Sequence, residues 1–246
     1  MANLLTLKLE QFVRFSAQDR ATLDDLARVS IRTIDARHDM IAEGDEPKVV
    51  NIILDGWACR YKMLEDGRRQ TFAFLLPGDL CDLNVYTLRE MDHSIGALSK
   101  IRYAQLPRQI FDEVLTARPR ILQAFWWDSL VSAAIQREWT VNLGRRDARE
   151  RIAHLFCELF YRLQSVGLTH EGSFTFPVTQ VSLADVLGMT SVHINRVVQE
   201  LRSQGLVEWK GREVHIPNLS ALQEIAFFTP NYLHLDHEGR HLDANE

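Results

Sequence analysis

The sequence predicts an α+β chain in three consecutive parts: a roll of short β-strands, a long helix and a C-terminal winged helix-turn-helix. Three observations carry this prediction. Between Val49 and Leu106, short apolar runs end at turn signals: Asp55-Gly56, Asp66-Gly67 and Pro77-Gly78-Asp79. Thirteen of the 21 residues from Ile121 to Val141 are apolar, too many for one face of a surface helix. From Phe174 onward, two short helical stretches divided by Gly188 precede a hairpin with Lys210-Gly211-Arg212 at its tip.

The strand block reads as Val49–Leu54, Trp57–Met63, Gln70–Leu76, Ile95–Leu98 and Ile101–Leu106. Glycine after aspartate supplies the positive φ that a tight hairpin needs. Several short strands at this spacing suggest a small barrel or roll. Pro107 to Gln164 then reads as helical, with Phe125, Trp126, Trp127 and Trp139 spread around the circumference. Such a helix is buried on more than one side: against the roll and an identical helix of a second subunit, or within a monomeric core. Gly144 interrupts, and Ile152, Leu155, Phe156, Leu159, Phe160 and Leu163 form the inward stripe of a further helix. Downstream, Ser182 and Asp185 stand at capping-box spacing, Gly188 supplies a left-handed turn, and Ser191 to Gln204 forms the second helix. Leu206–Trp209 and Glu213–Ile216 flank the wing tip.

The chain has 246 residues, enough for two domains with separate cores, and its composition (46% apolar, 25% charged) is that of a soluble globular protein. No apolar run is long enough to span a bilayer, and the N-terminus lacks a secretory leader, so a cytoplasmic protein without membrane contact is expected. Cys59, Cys81 and Cys157 show no paired spacing, which argues against a disulfide framework or a thiolate zinc site. A net charge of −5 does not exclude nucleic acid, because phosphate binding needs only local positive potential. Basic residues gather at Arg145, Arg146, Arg149 and Arg151, and again at Arg196, Arg202, Lys210 and Arg212.

The second helix of the pair divides by face. Ile194, Val197, Val198 and Leu201 form its inward stripe, and His193, Asn195, Arg196, Gln199 and Glu200 lie outward. Such a helix suits the major groove, with Ser191, His193, Asn195, Arg196 and Gln199 as candidates for base contacts. The Arg196 fork matches guanine O6 and N7, and the amide of Asn195 or Gln199 matches adenine N6 and N7. Thr179, Gln180, Thr190, Lys210 and Arg212 are candidates for phosphate contacts. The same pattern also suits a packed C-terminal subdomain with a solvated polar face.

The chain resembles the Crp/Fnr family of bacterial transcription regulators from about Phe12 to Pro217. The stretch Gln180–Arg196, QVSLADVLGMTSVHINR, is similar to that family's DNA-reading motif. The block carrying Leu54-Asp55-Gly56, Asp66-Gly67-Arg68 and Pro77-Gly78-Asp79 is similar to its cyclic-nucleotide-binding-like roll. The resemblance implies a sensor roll over residues 1–117, a dimerisation helix over 118–143, a winged helix-turn-helix over 144–219 and a tail over 220–246. It also implies a homodimer on a palindromic operator in double-stranded DNA, with RNA polymerase as a further partner. Arg196 matches the family's guanine-reading arginine, and Val192 stands where many members carry glutamate. A different half-site is therefore expected.

In nucleotide-binding members a Gly-Glu pair holds the ribose and an Arg-Ser pair holds the cyclic phosphate. The corresponding effector-pocket positions here are Asp82, Asn84, His93 and Ser94. Histidine lacks the fixed bidentate fork of arginine, and losing that contact costs roughly 2–3 kcal/mol. Cyclic AMP is therefore not expected to control the protein, and the effector is unknown. Three scattered cysteines fall short of an iron–sulfur ligand set, so no cofactor or metal is expected. Cys81 reads as either a redox-sensitive thiol or a small buried hydrophobe. Tail residues His234, His237 and His241 are not expected to hold a metal, while Phe227, Phe228, Tyr232 and Leu233 are expected to dock the tail. No catalytic motif is present, so an enzyme is not expected.

Overall fold

The computed structural model describes residues 3–81, 83 and 87–235, and the chain divides into two compact units. The first is built from Met1–Lys62 and Ala73–Ala133. Helices α1 (Leu4–Leu9) and α2 (Ala17–Leu26) open it, the latter closed by a Ser16–Asp19 capping box. Eight strands follow in the chain, with the end of β4 and the first part of β5 falling in the second unit: β1 (Ile31–Ile34), β2 (Asp39–Ile41), β3 (Val49–Asp55), β4 (Ala58–Met63), β5 (Arg69–Leu75), β6 (Leu80–Cys81), β7 (Ser94–Ala97) and β8 (Ile101–Pro107). They form two four-stranded sheets in the orders β1-β8-β3-β6 and β2-β7-β4-β5. Ile53, Cys81, Ile101 and Tyr103 from one sheet share a buried cluster with Ala58, Leu75, Ile95 and Ala97 from the other, so the roll closes around apolar alternation. Cys81 lies inside this core.

The five strands expected from sequence are present within about a residue. Sequence reading missed β1, β2 and β6, which are too short or too polar to show periodicity. Gly56 and Gly78 take φ of +78° and +95°. A Cβ at Gly56 would come within 2.2 Å of the Lys100 carbonyl oxygen, so this turn requires glycine. Asp79, read as a turn residue, has a second role. It shares the Lys8 ammonium with Asp128, at 2.7 and 2.5 Å, tying α1 to the turn and to the next long helix.

Helix α3 (Arg108–Ala117) leads into α4 (Pro119–Arg145), 27 residues long, and Phe111 stacks on Phe125 at 5.5 Å. Helix α4 passes straight through Gly144. The break lies two residues later, where Asp147 caps α5 (Ala148–Gln164) in a capping box with Glu150. One glycine costs a helix only about 1 kcal/mol, whereas a capping box sets a new start.

The second unit holds Met63–Phe72 and Ala134–Leu233. After α5 come β9 (Thr169–His170), β10 (Ser173–Thr175), α6 (Gln180–Leu187), α7 (Ser191–Ser203), β11 (Glu208–Lys210), β12 (Glu213–His215), α8 (Leu219–Ala226) and a 3-10 turn (Pro230–Leu233). The wing is therefore part of a four-stranded sheet, β11-β12-β10-β9, not an isolated hairpin. The added hairpin had a signal in Glu171-Gly172, where Gly172 takes φ +79°. Phe156, Phe174, Phe176 and Trp209 pack edge to face beneath this sheet.

Helix α5 is buried on nearly all sides, including His154, Cys157 and Glu158, because α8 and the 3-10 turn cover the face that reads as polar. Phe228 and Leu233 dock as expected, whereas Phe227 does not: it caps α8 in a left-handed conformation and is 72% exposed. Glu158 accepts from Trp139 Nε1 at 3.0 Å, from the Tyr232 hydroxyl at 3.0 Å and from the Arg162 guanidinium at 3.2 Å. Burial pushes its carboxyl pKa up, with Arg162 opposing.

His154 packs its ring against Phe228 and Tyr232, and neither ring nitrogen has a hydrogen-bond partner among the described residues. Burial, then the Arg146 guanidinium, lowers its pKa from 6.5 to about 3. The folded state thus holds it neutral. Its contribution is complete above the unfolded value and falls as pH drops from 6.5 toward 3. Between pH 7 and 5 the second unit is expected to lose about 2 kcal/mol through this group. Chemical denaturation at the two pH values checks this: His154→Phe should lose less on acidification than the parent, and equal losses would refute the assignment.

Candidate nucleic-acid interface

Helix α6 is capped by Thr179, whose hydroxyl accepts from the Ser182 backbone N–H. The expected Ser182–Asp185 capping box is therefore corrected: the helix begins three residues earlier, and Ser182 lies within it. Gly188 closes it at φ +62°, and Thr190 caps α7 by accepting from the His193 N–H. Ile194, Val197, Val198 and Leu201 are buried, as the periodicity predicts. Val192, Asn195, Arg196 and Gln199 form one exposed face over the first two turns, with Ser191 and His193 half-buried at its margin.

Arg196 makes no hydrogen bond or ion pair among the described residues, so its fork is free to engage a ligand. Asn195 differs. Its amide Nδ2 donates to Gln180 Oε1 at 3.1 Å, linking the first turn of α6 to the α7 face. This leaves the Asn195 carbonyl oxygen as the outward acceptor, and a bidentate adenine contact would require the bond to be exchanged. Val192, absent from the polar residues that sequence reading proposes for base contacts, stands at the centre of this face and is 79% exposed. Apolar residues on an outward helix face were the signal.

The phosphate candidates Thr179, Thr190, Lys210 and Arg212 are exposed, and Gln180 is half-buried. Lys210 Nζ pairs with Glu208 at 2.7 Å across the wing strand, which holds the Glu208 carboxyl below its ordinary pKa. The arginines near residue 150 are largely structural. Arg146 binds Glu138 and the Ala226 carbonyl, Arg151 binds the carbonyls of Arg146 and Leu187, and Arg149 binds Gln204. Only Arg145 of that group is exposed.

In the roll, Ser94 Oγ accepts from the Glu43 N–H at 2.9 Å. His93 Nδ1 lies 2.6 Å from Asp92 Oδ1, and this hydrogen bond lowers the Asp92 pKa. The effector-pocket candidates Asp82 and Asn84 lie outside the described residues, as do His237 and His241. Among the described residues no group of three or more His, Cys, Asp or Glu could hold a metal ion, and no helix is long and apolar enough to cross a membrane.

Two family models match the chain: a cyclic nucleotide-binding domain over residues 31–118 and a Crp-like helix-turn-helix domain over 150–225. The transcriptional activator protein FnrL of Cereibacter sphaeroides is 28% identical over 217 residues, covering 87% of this chain and 86% of that protein. The nitrogen fixation regulation protein FixK of Azorhizobium caulinodans is 28% identical over 188 residues, covering 76% and 73%. The structure of FixK2 from Bradyrhizobium japonicum superposes with a TM-score of 0.71 at 22% identity, over 80% of this chain and 96% of that one, and shows the shared fold.

Proposed function

The chain belongs to the Crp/Fnr family of transcription regulators, with a DNA-binding helix-turn-helix, and from that premise we propose that it reads a palindromic operator as a homodimer without cyclic AMP. The observation that carries the reading is the outward face of α7: a free Arg196 beside Asn195 and Gln199, set on a fully apolar inner stripe. In this reading Arg196 contacts guanine, Ser191, His193, Asn195 and Gln199 contact neighbouring base edges, and Thr179, Gln180, Thr190, Lys210 and Arg212 hold phosphates. Residues 144–219 form the DNA-binding part, 118–143 the dimer helix, 1–117 the sensor and 220–246 the tail.

Dimerisation is supported by α4. Trp126, Leu130, Ala133, Arg137 and Thr140 are exposed at 4-3-4-3 spacing, with Trp126 60% and Leu130 61% exposed. That spacing is the seam of a two-stranded coiled coil. Independence from cyclic AMP is supported by the Asp92 carboxylate, which occupies the hydrogen bond of His93 and would repel a cyclic phosphate. A four-thiolate cluster does not fit this donor set: Cys59 and Cys81 are buried in the roll, and Cys157 is buried in α5, where desolvation pushes its thiol pKa far up. The protein works in the cytoplasm, without catalytic activity, and RNA polymerase is the partner through which it would act on transcription.

Selection of duplexes from a random pool by the full chain, without nucleotide, tests this reading. The expected product is a palindrome with half-sites about one helical turn apart, bound equally well with and without added cyclic AMP. Leu130→Glu should yield monomers in analytical ultracentrifugation and lose the palindrome. A dimer that persists in this variant, or a nucleotide requirement, would overturn the corresponding part.

A further inference from the structure

We propose that Val192 reads a thymine C5-methyl group in each half-site; this rests on α7 entering the major groove. Val192 is the most exposed of the large hydrophobic side chains among the described residues, at 79%, although it lies in the first turn of a helix whose other apolar residues are buried. It contributes nothing to the core. A β-branched residue also lowers helix propensity at a solvent-facing position, so local stability does not account for it. Its place does have a chemical meaning. It sits one turn before Arg196 on the same face, with Asn195 beside it.

In the major groove thymine alone presents a methyl group; guanine and adenine offer N7, with O6 or N6, and cytosine offers N4. An isopropyl group pressed on those polar edges would strip their water and return no hydrogen bond, a desolvation cost without compensation. Against a thymine methyl it buries apolar surface on both sides. Val192 thereby selects thymine and discriminates against the other three bases. Residues four apart on a helix are about 6 Å apart along its axis, and base pairs are spaced about 3.4 Å per step. The thymine therefore lies one to two steps from the guanine read by Arg196.

The test starts from the palindrome selected by the full chain. Each thymine of one half-site is replaced in turn by deoxyuridine, which removes only the methyl and keeps the pairing. The expected result is one thymine at which the exchange weakens binding about fourfold, the equivalent of one buried methyl. With Val192→Ala the same exchange should have no effect at that position, while Arg196→Ala should leave its effect in place. Deoxyuridine sensitivity that is absent, or unchanged in Val192→Ala, overturns the thymine assignment and leaves the groove-reading helix standing. Failure of the parent protein to select any sequence overturns the groove reading itself, and the thymine assignment with it.

Discussion

Arg196→Ala is expected to weaken binding to the selected operator sharply and to lose the choice of base at the guanine position, while the contacts made by the rest of the α7 face remain. Arg196 is exposed, so its loss removes no packing. What disappears is a bidentate pair with guanine, worth about 1–3 kcal/mol of base discrimination per half-site. For a two-fold dimer the loss applies twice, about 2–6 kcal/mol in all, so operator affinity should fall about thirtyfold or more. Arg196→Lys separates the fork from the charge. Lysine keeps the attraction to phosphate but not the planar pair of donors, so specificity should fall while the salt dependence of residual binding stays close to that of the parent. Fluorescence anisotropy on operator and scrambled duplexes at several salt concentrations measures both quantities. Parent-like affinity of Arg196→Ala for the operator would remove the basis of the reading.

Glu158→Ala is expected to destabilise the second unit by about 3–5 kcal/mol, because it breaks a buried charge pair and leaves the other partner uncompensated. Three groups converge on this carboxylate: the Trp139 indole N–H, the Tyr232 hydroxyl and the Arg162 guanidinium, which is itself nearly buried. After truncation the buried Trp139 indole N–H and the largely buried Arg162 guanidinium lose their acceptor. Tyr232→Phe removes a single donor and should cost only about 1 kcal/mol. The ratio is diagnostic: equal costs for the two variants in urea titration would mean that Glu158 does not organise the cluster. The same cluster joins α4, α5 and the 3-10 turn, so Glu158→Ala should also shift Trp139 fluorescence. Residues 230–233 are thus part of the folded unit, and cutting the chain before them should resemble Tyr232→Phe at the least.

The family resemblance, the order of the parts and the inner stripe of α7 were all legible in the residues. Periodicity reports which side of an element is apolar, and turn glycines report where the chain must reverse. Both signals are local. The five longer strands and the two helices of the DNA-reading motif were found this way, each within a few residues. Short strands such as Leu80–Cys81 were not, since two residues carry no period and their pairing with Asn51 and Ile52 comes from a distant segment. Helix starts were misplaced at Ser182 and Gly144 for a related reason: several residues nearby are competent caps, and the tertiary position of the loop selects among them.

Side-chain roles depended on neighbours that linear spacing does not reveal. Arg146, Arg149 and Arg151 form a basic run in the sequence, yet folding engages them with carbonyls, Glu138 and Gln204, so the run is not a free phosphate-binding patch. His154, Cys157 and Glu158 sit on a face of α5 that looks solvated until α8 and the 3-10 turn cover it. Asn195 is held by Gln180 from the facing helix, and Val192 becomes a candidate base reader only because nothing in the fold covers it. Composition, pattern and motif therefore suffice for the architecture and for the choice of α7 as the reading helix, because each arises from backbone periodicity and local turn chemistry. Which polar groups are satisfied internally and which remain free for a partner depends on contacts between residues far apart in the chain, and those exist only once it has folded.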